Sequence, residues 1–313
     1  MSHSDNNDFL TQDYSMYANQ FSYLGFPISR NLASSADTVI MGVPYDLATS
    51  GRAGARGGPT AIRQASGNLK WEGFRWPWQF AVDEVLTPID YGDVEYYFGD
   101  SDHMLEQVEA TATKIVSAGK TLISFGGDHF VTLPLLRAHA KHHGKVSLIH
   151  FDAHTDSYKE DERYSHGSMF YHAPKEGLID TDTSIQIGIR TSYHRDDHAF
   201  EVIDAHAANN LSVEEIVARI KARVGDNKVY LTFDIDCLDP AYAPGTGTPV
   251  VGGLTTNKIL QVLQGLRDIN LIGCDLVEVS PAYDQAEITA LAGATIALQF
   301  LYMIASKRVD KPL

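Results

Sequence analysis

From residue 38 onward the chain alternates two hydrophobic rhythms. Short, nearly continuous apolar runs fall at Thr38–Val43, Val85–Asp90, Thr121–Phe125, Val146–Phe151, Ser184–Ile189, Val229–Phe233 and Asn270–Val277. Runs with little polar alternation are what strands buried on both faces require. Between them the apolar positions recur at helical spacing. Leu105, Val108, Ala112, Ile115 and Val116 line one face of a helix, with Gly119 placed to end it. Leu133–Ala140 ahead of Gly144 predicts a second helix, and Ser212 with Glu215 forms a capping box ahead of Ile216, Ile220 and Val224. Strands alternating with helices predict a three-layer α/β/α fold around a central, mainly parallel sheet. Residues 1–35 carry neither rhythm and are expected to form an extended N-terminal arm. No repeat or linker divides residues 36–313, which are expected to form a single domain.

The run Ile288–Ala305 has nearly the length and apolarity of a membrane span, with Gln299 its one strongly polar side chain. Glu287 before it, Lys307 and Arg308 after it, and Thr289, Gly293 and Thr295 within it suit a buried core helix with dipole-matched ends. Hydrophobic residues at 44% and charged residues at 21% exclude a disordered or fibrous chain. A net charge of -15 argues against nucleic acid or an anionic membrane as partner; such a balance mainly serves solubility, and a small cationic substrate would be electrostatically welcome. Two cysteines, Cys237 and Cys274, make no disulfide framework, and residues 1–20 carry no secretory signal. A cytoplasmic location is expected.

Ligand sites in such folds lie beyond the carboxyl ends of the strands. Gly126-Gly127-Asp128-His129 follows the third run, Asp152-Ala153-His154-Thr155-Asp156 the fourth, and Asp234-Ile235-Asp236 the sixth. The alternating spacing aims each set to one side if the chain stays extended. Unneutralised, the four aspartates would repel one another. Two divalent ions, about +4 against about -4, match them where one ion would not. Oxygen-rich ligation with two imidazoles and no thiolate suits manganese better than structural zinc. Singly, Asp152 or Asp234 would read as a helix cap or turn residue. Their convergence with Asp156, Asp236, His129 and His154 favours a metal centre. His139, His142 and His143 are read as a solvated helix face, and Gly51, Gly54, Gly57 and Gly58 with Arg52 and Arg56 as a flexible loop near the site.

These three segments resemble the signatures of the ureohydrolases, the arginase and agmatinase family, over roughly Asp37 to the C-terminus. Within it, Ser50–Gly54, Trp76–Trp78, Phe130–Pro134, Ala173–Leu178 and Gly245–Pro249 look most like the bacterial agmatinase branch. The resemblance implies one catalytic domain with two Mn²⁺ per subunit. His129 and Asp156 would hold one ion, His154 and Asp236 the other, and Asp152 and Asp234 both. It also implies that His166 shuttles protons, that Glu278 binds the guanidinium, and that the protein is a homo-oligomer, trimer or hexamer. Arginase-type members carry an asparagine for the substrate's α-carboxylate where this chain has Tyr158. The expected substrate is therefore agmatine, split to putrescine and urea by a hydroxide bridging the two ions, with Asp156 orienting it. The residues that meet the distal amine are left unassigned, with Tyr158, Glu160, Asp161 and Glu162 on a loop that could carry them. The alternatives are a guanidinobutyrase or other guanidino-acid ureohydrolase, and a non-catalytic polyamine-binding paralogue.

Overall fold

The computed structural model describes residues 21–159, 164–310 and 313. Eight strands form one sheet: β1 Thr38–Val43, β2 Pro88–Asp93, β3 Thr121–Gly126, β4 Ser147–Phe151, β5 Ile185–Ile187, β6 Glu201–Ile203, β7 Val229–Asp234 and β8 Leu271–Val277. Their order is β2-β1-β3-β8-β7-β4-β5-β6, and every pair is parallel. The main helices are α1 Gly58–Lys70, α2 Ser101–Ser117, α3 Thr132–His143, α4 Met169–Lys175, α5 Ala205–Asn210, α6 Val213–Val224, α7 Thr256–Gly265 and α8 Ile288–Ala305.

Successive residues of each strand feed opposite cores, which is why the runs read as continuously apolar. Ile40, Ile123, Phe125, Ile149 and Phe151 pack with α1, α6, α7 and α8. Val39, Met41, Val43, Leu122 and Leu148 pack with α2, α3 and α4. The result is the three-layer α/β/α arrangement. Helix α8 is buried within the first core, with Phe300 and Leu301 sealed from solvent. The capping box forms as read: Ser212 Oγ accepts from Glu215 N at 3.1 Å, and Glu215 Oε2 from Ser212 N at 2.8 Å.

The chain lays down β2-β1-β3, crosses to begin β4-β5-β6, and fills the gap afterwards with β7 and β8. The four central strands end level. Phe125 pairs with Leu276, Leu276 with Phe233, and Phe233 with Phe151, so one row of residues crosses β3, β8, β7 and β4. The chemistry-bearing residues lie just beyond this row, where the chain has changed direction.

Several expectations are revised. Strand β2 starts at Pro88, not Val85, because Val82–Glu84 forms a 3₁₀ turn whose Val82 carbonyl ties down Leu86 N at 2.8 Å. Strand β6, Glu201–Ile203, was unexpected, and Gly58, read as loop, opens α1 with Pro59 in its first turn. That Gly-rich loop, read as flexible, is tethered: Arg52 donates to the Thr246 and Gly247 carbonyls, and Arg56 pairs with Asp46. His139 is not on a solvated face. Its ring is fully buried edge-on to Tyr230, 4.8 Å between centroids, with Nδ1 bonded to the Leu135 carbonyl at 2.8 Å. Of the arm expected over residues 1–35, residues 21–35 are described and lie against the body, where Tyr23 donates to the Ala294 carbonyl.

Candidate metal centre and substrate cavity

Each strand end delivers its side chains through a specific turn. After β3, Gly127 passes so close to Tyr45 that a Cβ there would fall 1.7 Å from the Tyr45 carbonyl oxygen, so only glycine fits. Asp128 then fixes the turn, accepting from Ala48 N at 2.8 Å and Phe130 N at 3.1 Å. His129 follows. Its Nε2 meets Thr232 Oγ1 at 2.9 Å, and Thr232 in turn donates to the buried Asp275 at 2.5 Å. That chain points Nδ1 the other way, toward three carboxylate oxygens: Asp156 Oδ2 at 2.8 Å, Asp152 Oδ2 at 3.0 Å and Asp234 Oδ2 at 3.4 Å. None lies in line for a hydrogen bond, and Nδ1 has no partner among the described residues.

A second set gathers beside it. His154 Nδ1 lies 3.1 Å from Asp236 Oδ2 and 3.3 Å from Asp152 Oδ1. Asp152 is thus common to both groups, one oxygen to each. Asp234 Oδ1 accepts from Asp236 N at 2.8 Å, and Asp236 Oδ1 accepts from Ala153 N at 3.0 Å. One oxygen of each is anchored to the backbone and the other is presented to the centre.

All six expected ligands are therefore brought together, but not by extended chain. Asp156 turns in with φ +47°, and Ile235–Cys237 is a 3₁₀ turn. The strand ends that meet are also not three in a row, since β8 lies between β3 and β7 and contributes Glu278.

The electrostatics state what the site lacks. Burial, then the charge of Asp152, push Asp156 up to about 7. Burial and the charges of Asp236 and Asp152 raise Asp234 well above the ordinary carboxylate range. For His154 burial works downward, but Asp236 and Asp152 outweigh it and hold the imidazole at about 12. Carboxylates that cannot all ionise together, around imidazoles drawn to carry positive charge, are a donor set made for cations. The residues fit divalent cations.

Beside the centre lies a cavity of about 150 Å³ lined by Ser50, Asp156, Tyr158, His166, Asp234 and Thr248, with His154, Ser165 and Gly167. His166 Nδ1 is 2.8 Å from Glu278 Oε1, and its Nε2 is 2.8 Å from Ser50 Oγ. Burial would lower His166, but the bond to Glu278 prevails and raises it to about 9. Glu278 is 1% exposed and sits at φ +64°. Its Oε1 also accepts from His129 N at 2.9 Å, whereas Oε2 is buried with no partner among the described residues. Tyr158 donates toward Thr191 Oγ1 and the Ser192 carbonyl, both at 3.2 Å. Glu160, Asp161 and Glu162 lie outside the described residues.

Two residues here were given no role from sequence. Ser50, which belongs to the Ser50–Gly54 segment, holds His166. His150, inside β4, bonds Asp152 Oδ2 through Nε2 at 2.7 Å. A histidine within a wholly buried apolar strand was a signal that could have found it.

Comparison with known proteins agrees with this geometry. The Arginase family model matches residues 36–303. The chain belongs to the arginase family, the metal-dependent ureohydrolases that the fold and site define. It is 59% identical over 298 residues to the agmatinase of Photorhabdus laumondii, covering 95% of this chain and 97% of that one. A hypothetical agmatinase from Burkholderia thailandensis superposes with a TM-score of 0.89 at 43% identity, over 95% of this chain and 97% of that one. The proclavaminate amidino hydrolase of Streptomyces clavuligerus gives 0.88 at 34%, over 93% and 99%.

Proposed function

We propose that the protein is an agmatinase, hydrolysing agmatine to putrescine and urea, with two manganese ions held by His129, Asp152, His154, Asp156, Asp234 and Asp236. The observation that carries the substrate reading is the buried Oε2 of Glu278, which has no hydrogen-bond partner among the described residues and feels the carboxylates of Asp128 and Asp234. An isolated buried carboxylate oxygen is costly, and a planar cation rich in N–H donors removes that cost. What the pair of cations supplies when bound is Lewis acidity, which makes water a competent nucleophile at neutral pH.

The remaining roles belong to the side chains. Glu278 Oε2 accepts guanidinium N–H bonds and fixes the carbon for attack. Asp156, in the cavity wall, orients the attacking water. His166 donates from Nδ1 to Glu278 Oε1, while its Nε2 accepts from Ser50 N at 3.1 Å and lies 2.8 Å from Ser50 Oγ; Nε2 is the atom that takes up a further proton, favoured at neutral pH because, against burial, the Glu278 bond raises His166 to about 9. Opening onto the cavity, it delivers that proton to the departing amine. Among the described residues that line the cavity, Asp156 and Asp234 supply carboxylates and no lysine or arginine is present, which supports a cationic guanidine such as agmatine. A cytoplasmic homo-oligomer completes this reading.

The test is urea release by manganese-reconstituted protein given agmatine, arginine and 4-guanidinobutyrate side by side. Agmatine is expected to be strongly preferred. Preference for another guanidine removes the substrate assignment while leaving the metal chemistry, and no urea from any of them makes a binding protein the better account.

A further inference from the structure

His150 faces Gln186 directly across β4 and β5, and both side chains are fully buried. Their hydrogen bonds leave little freedom. Gln186 Nε2 lies 2.7 Å from the Thr155 carbonyl, an obligate acceptor, so this atom is the amide nitrogen. The same NH₂ group lies 2.9 Å from His150 Nδ1 and donates its second proton there. Nδ1 is therefore an acceptor, and the ring proton sits on Nε2, aimed at Asp152 Oδ2 at 2.7 Å. The Gln186 carbonyl oxygen, thus defined, accepts from His198 Nε2 at 2.7 Å. His198 lines a separate, larger cavity of about 890 Å³ together with Phe170, Tyr193 and Phe200.

With Nε2 donating to Asp152 and Nδ1 filled by Gln186, His150 has no lone pair left for a cation. It lies among the ligands without being available as one. We propose that His150, Gln186 and His198 form a positioning chain that fixes the rotation of the Asp152 carboxylate and so sets the affinity of the centre for divalent cations. The inference rests on the proposed metal reading, in which Asp152 is a carboxylate common to both ions. Asp152 Oδ1 is held by His154 N at 2.6 Å, so the bond from His150 to Oδ2 completes the clamp on a side chain that must serve two ions at once. Partners of this kind, bonded to a ligand's remaining lone pairs, typically contribute about 10–100-fold in metal affinity.

The experiment is manganese titration of the chelator-treated protein, with the thermal midpoint of each metal-free form measured alongside. His150→Met removes the donor at similar length and is expected to weaken manganese binding about 10–100-fold. His150→Gln returns an N–H donor near the Nε2 position and is expected to recover most of that loss. Gln186→Leu frees His150 to turn and is expected to weaken binding by a smaller factor, and it carries the test should His150→Met fail to fold. A His150→Met protein with the wild-type isotherm overturns the proposal. So does a His150→Gln protein as weak as His150→Met, which would make ring volume the cause. Wild-type protein that takes up no manganese would instead overturn the metal reading itself.

Discussion

Replacing Glu278 by glutamine tests the substrate reading without touching a metal ligand. The structure dictates how the new amide orients. Oε1 accepts two N–H bonds, from His129 N at 2.9 Å and from His166 Nδ1 at 2.8 Å, and only the amide oxygen can keep both. The NH₂ group must then take the place of Oε2, where it confronts the substrate's own N–H donors. The guanidinium loses a charged partner and meets a donor instead. Removing one member of a buried charge pair costs about 3–5 kcal/mol, and at 1.36 kcal/mol per tenfold that is about 10²–10⁴ in kcat/KM for agmatine. Bound manganese and the thermal midpoint are expected to stay near wild type, because volume and both Oε1 bonds survive. The assay is steady-state urea release paired with metal analysis of the same samples. A kcat/KM within tenfold of wild type at full manganese content would refute the assignment of Glu278 to the guanidinium. Joint loss of activity and metal would refute it differently, by showing that Glu278 acts through its bond to the His129 backbone.

Two further predictions concern the scaffold. Burial is the chief cause that depresses His139 from 6.5 to about 4, so the folded protein keeps it neutral. The unfolded chain takes up a proton below pH 6.5, so this contribution is fully present above 6.5 and is lost as pH falls toward 4. Relative to His139→Phe, wild-type unfolding free energy should fall by about 2 kcal/mol between pH 7 and pH 5; urea titrations with parallel pH dependence would disprove it. Gly58→Ala would place a Cβ 2.6 Å from the Val279 carbonyl oxygen and 3.1 Å from that of Gly126, backbone on the segments carrying Glu278 and His129. Overpacking of this kind costs about 1–3 kcal/mol, and thermal midpoint and kcat/KM should fall together, whereas Gly51→Ala, with open space around it, should change neither.

What the sequence made legible follows from what the sheet demands. Strands covered on both faces must be apolar at every position, so β1, β3, β7 and β8 stand out, and the abrupt arrival of Asp and His after three of the runs marks the sheet's carboxyl edge. Strand β6 escapes because a three-residue edge strand, Glu201–Ile203, needs only Ile203 fully buried. Helix α1 escapes because its first residues, Gly58 and Pro59, have the chemistry of a turn, and glycine is there for lack of room beside Val279. His139 misleads because a histidine among His142, His143 and Lys141 looks solvated, while only the fold shows Tyr230 and Gly273 closing over it. His150 and Ser50 act through other side chains, and such partnership leaves no spacing to read.

The choice first posed for Asp234, helix cap or metal ligand, turns out to be false. Its Oδ1 caps the turn through Asp236 N while its Oδ2 faces His129, and Asp236 divides its oxygens in the same way between Ala153 N and His154. A carboxylate has lone pairs enough for both tasks, so the local rule that predicts caps and the cluster rule that predicts metal sites select the same residue. The division has a physical consequence. The turns that aim the ligands are held by the ligands themselves, and two non-glycine residues of the site, Asp156 at +47° and Glu278 at +64°, have positive φ. Backbone strain of about 1–3 kcal/mol at each such residue persists only where the surroundings over-determine it. Cations that bind the free oxygens tighten the same turns, so metal affinity and local stability at this edge of the sheet rise and fall together.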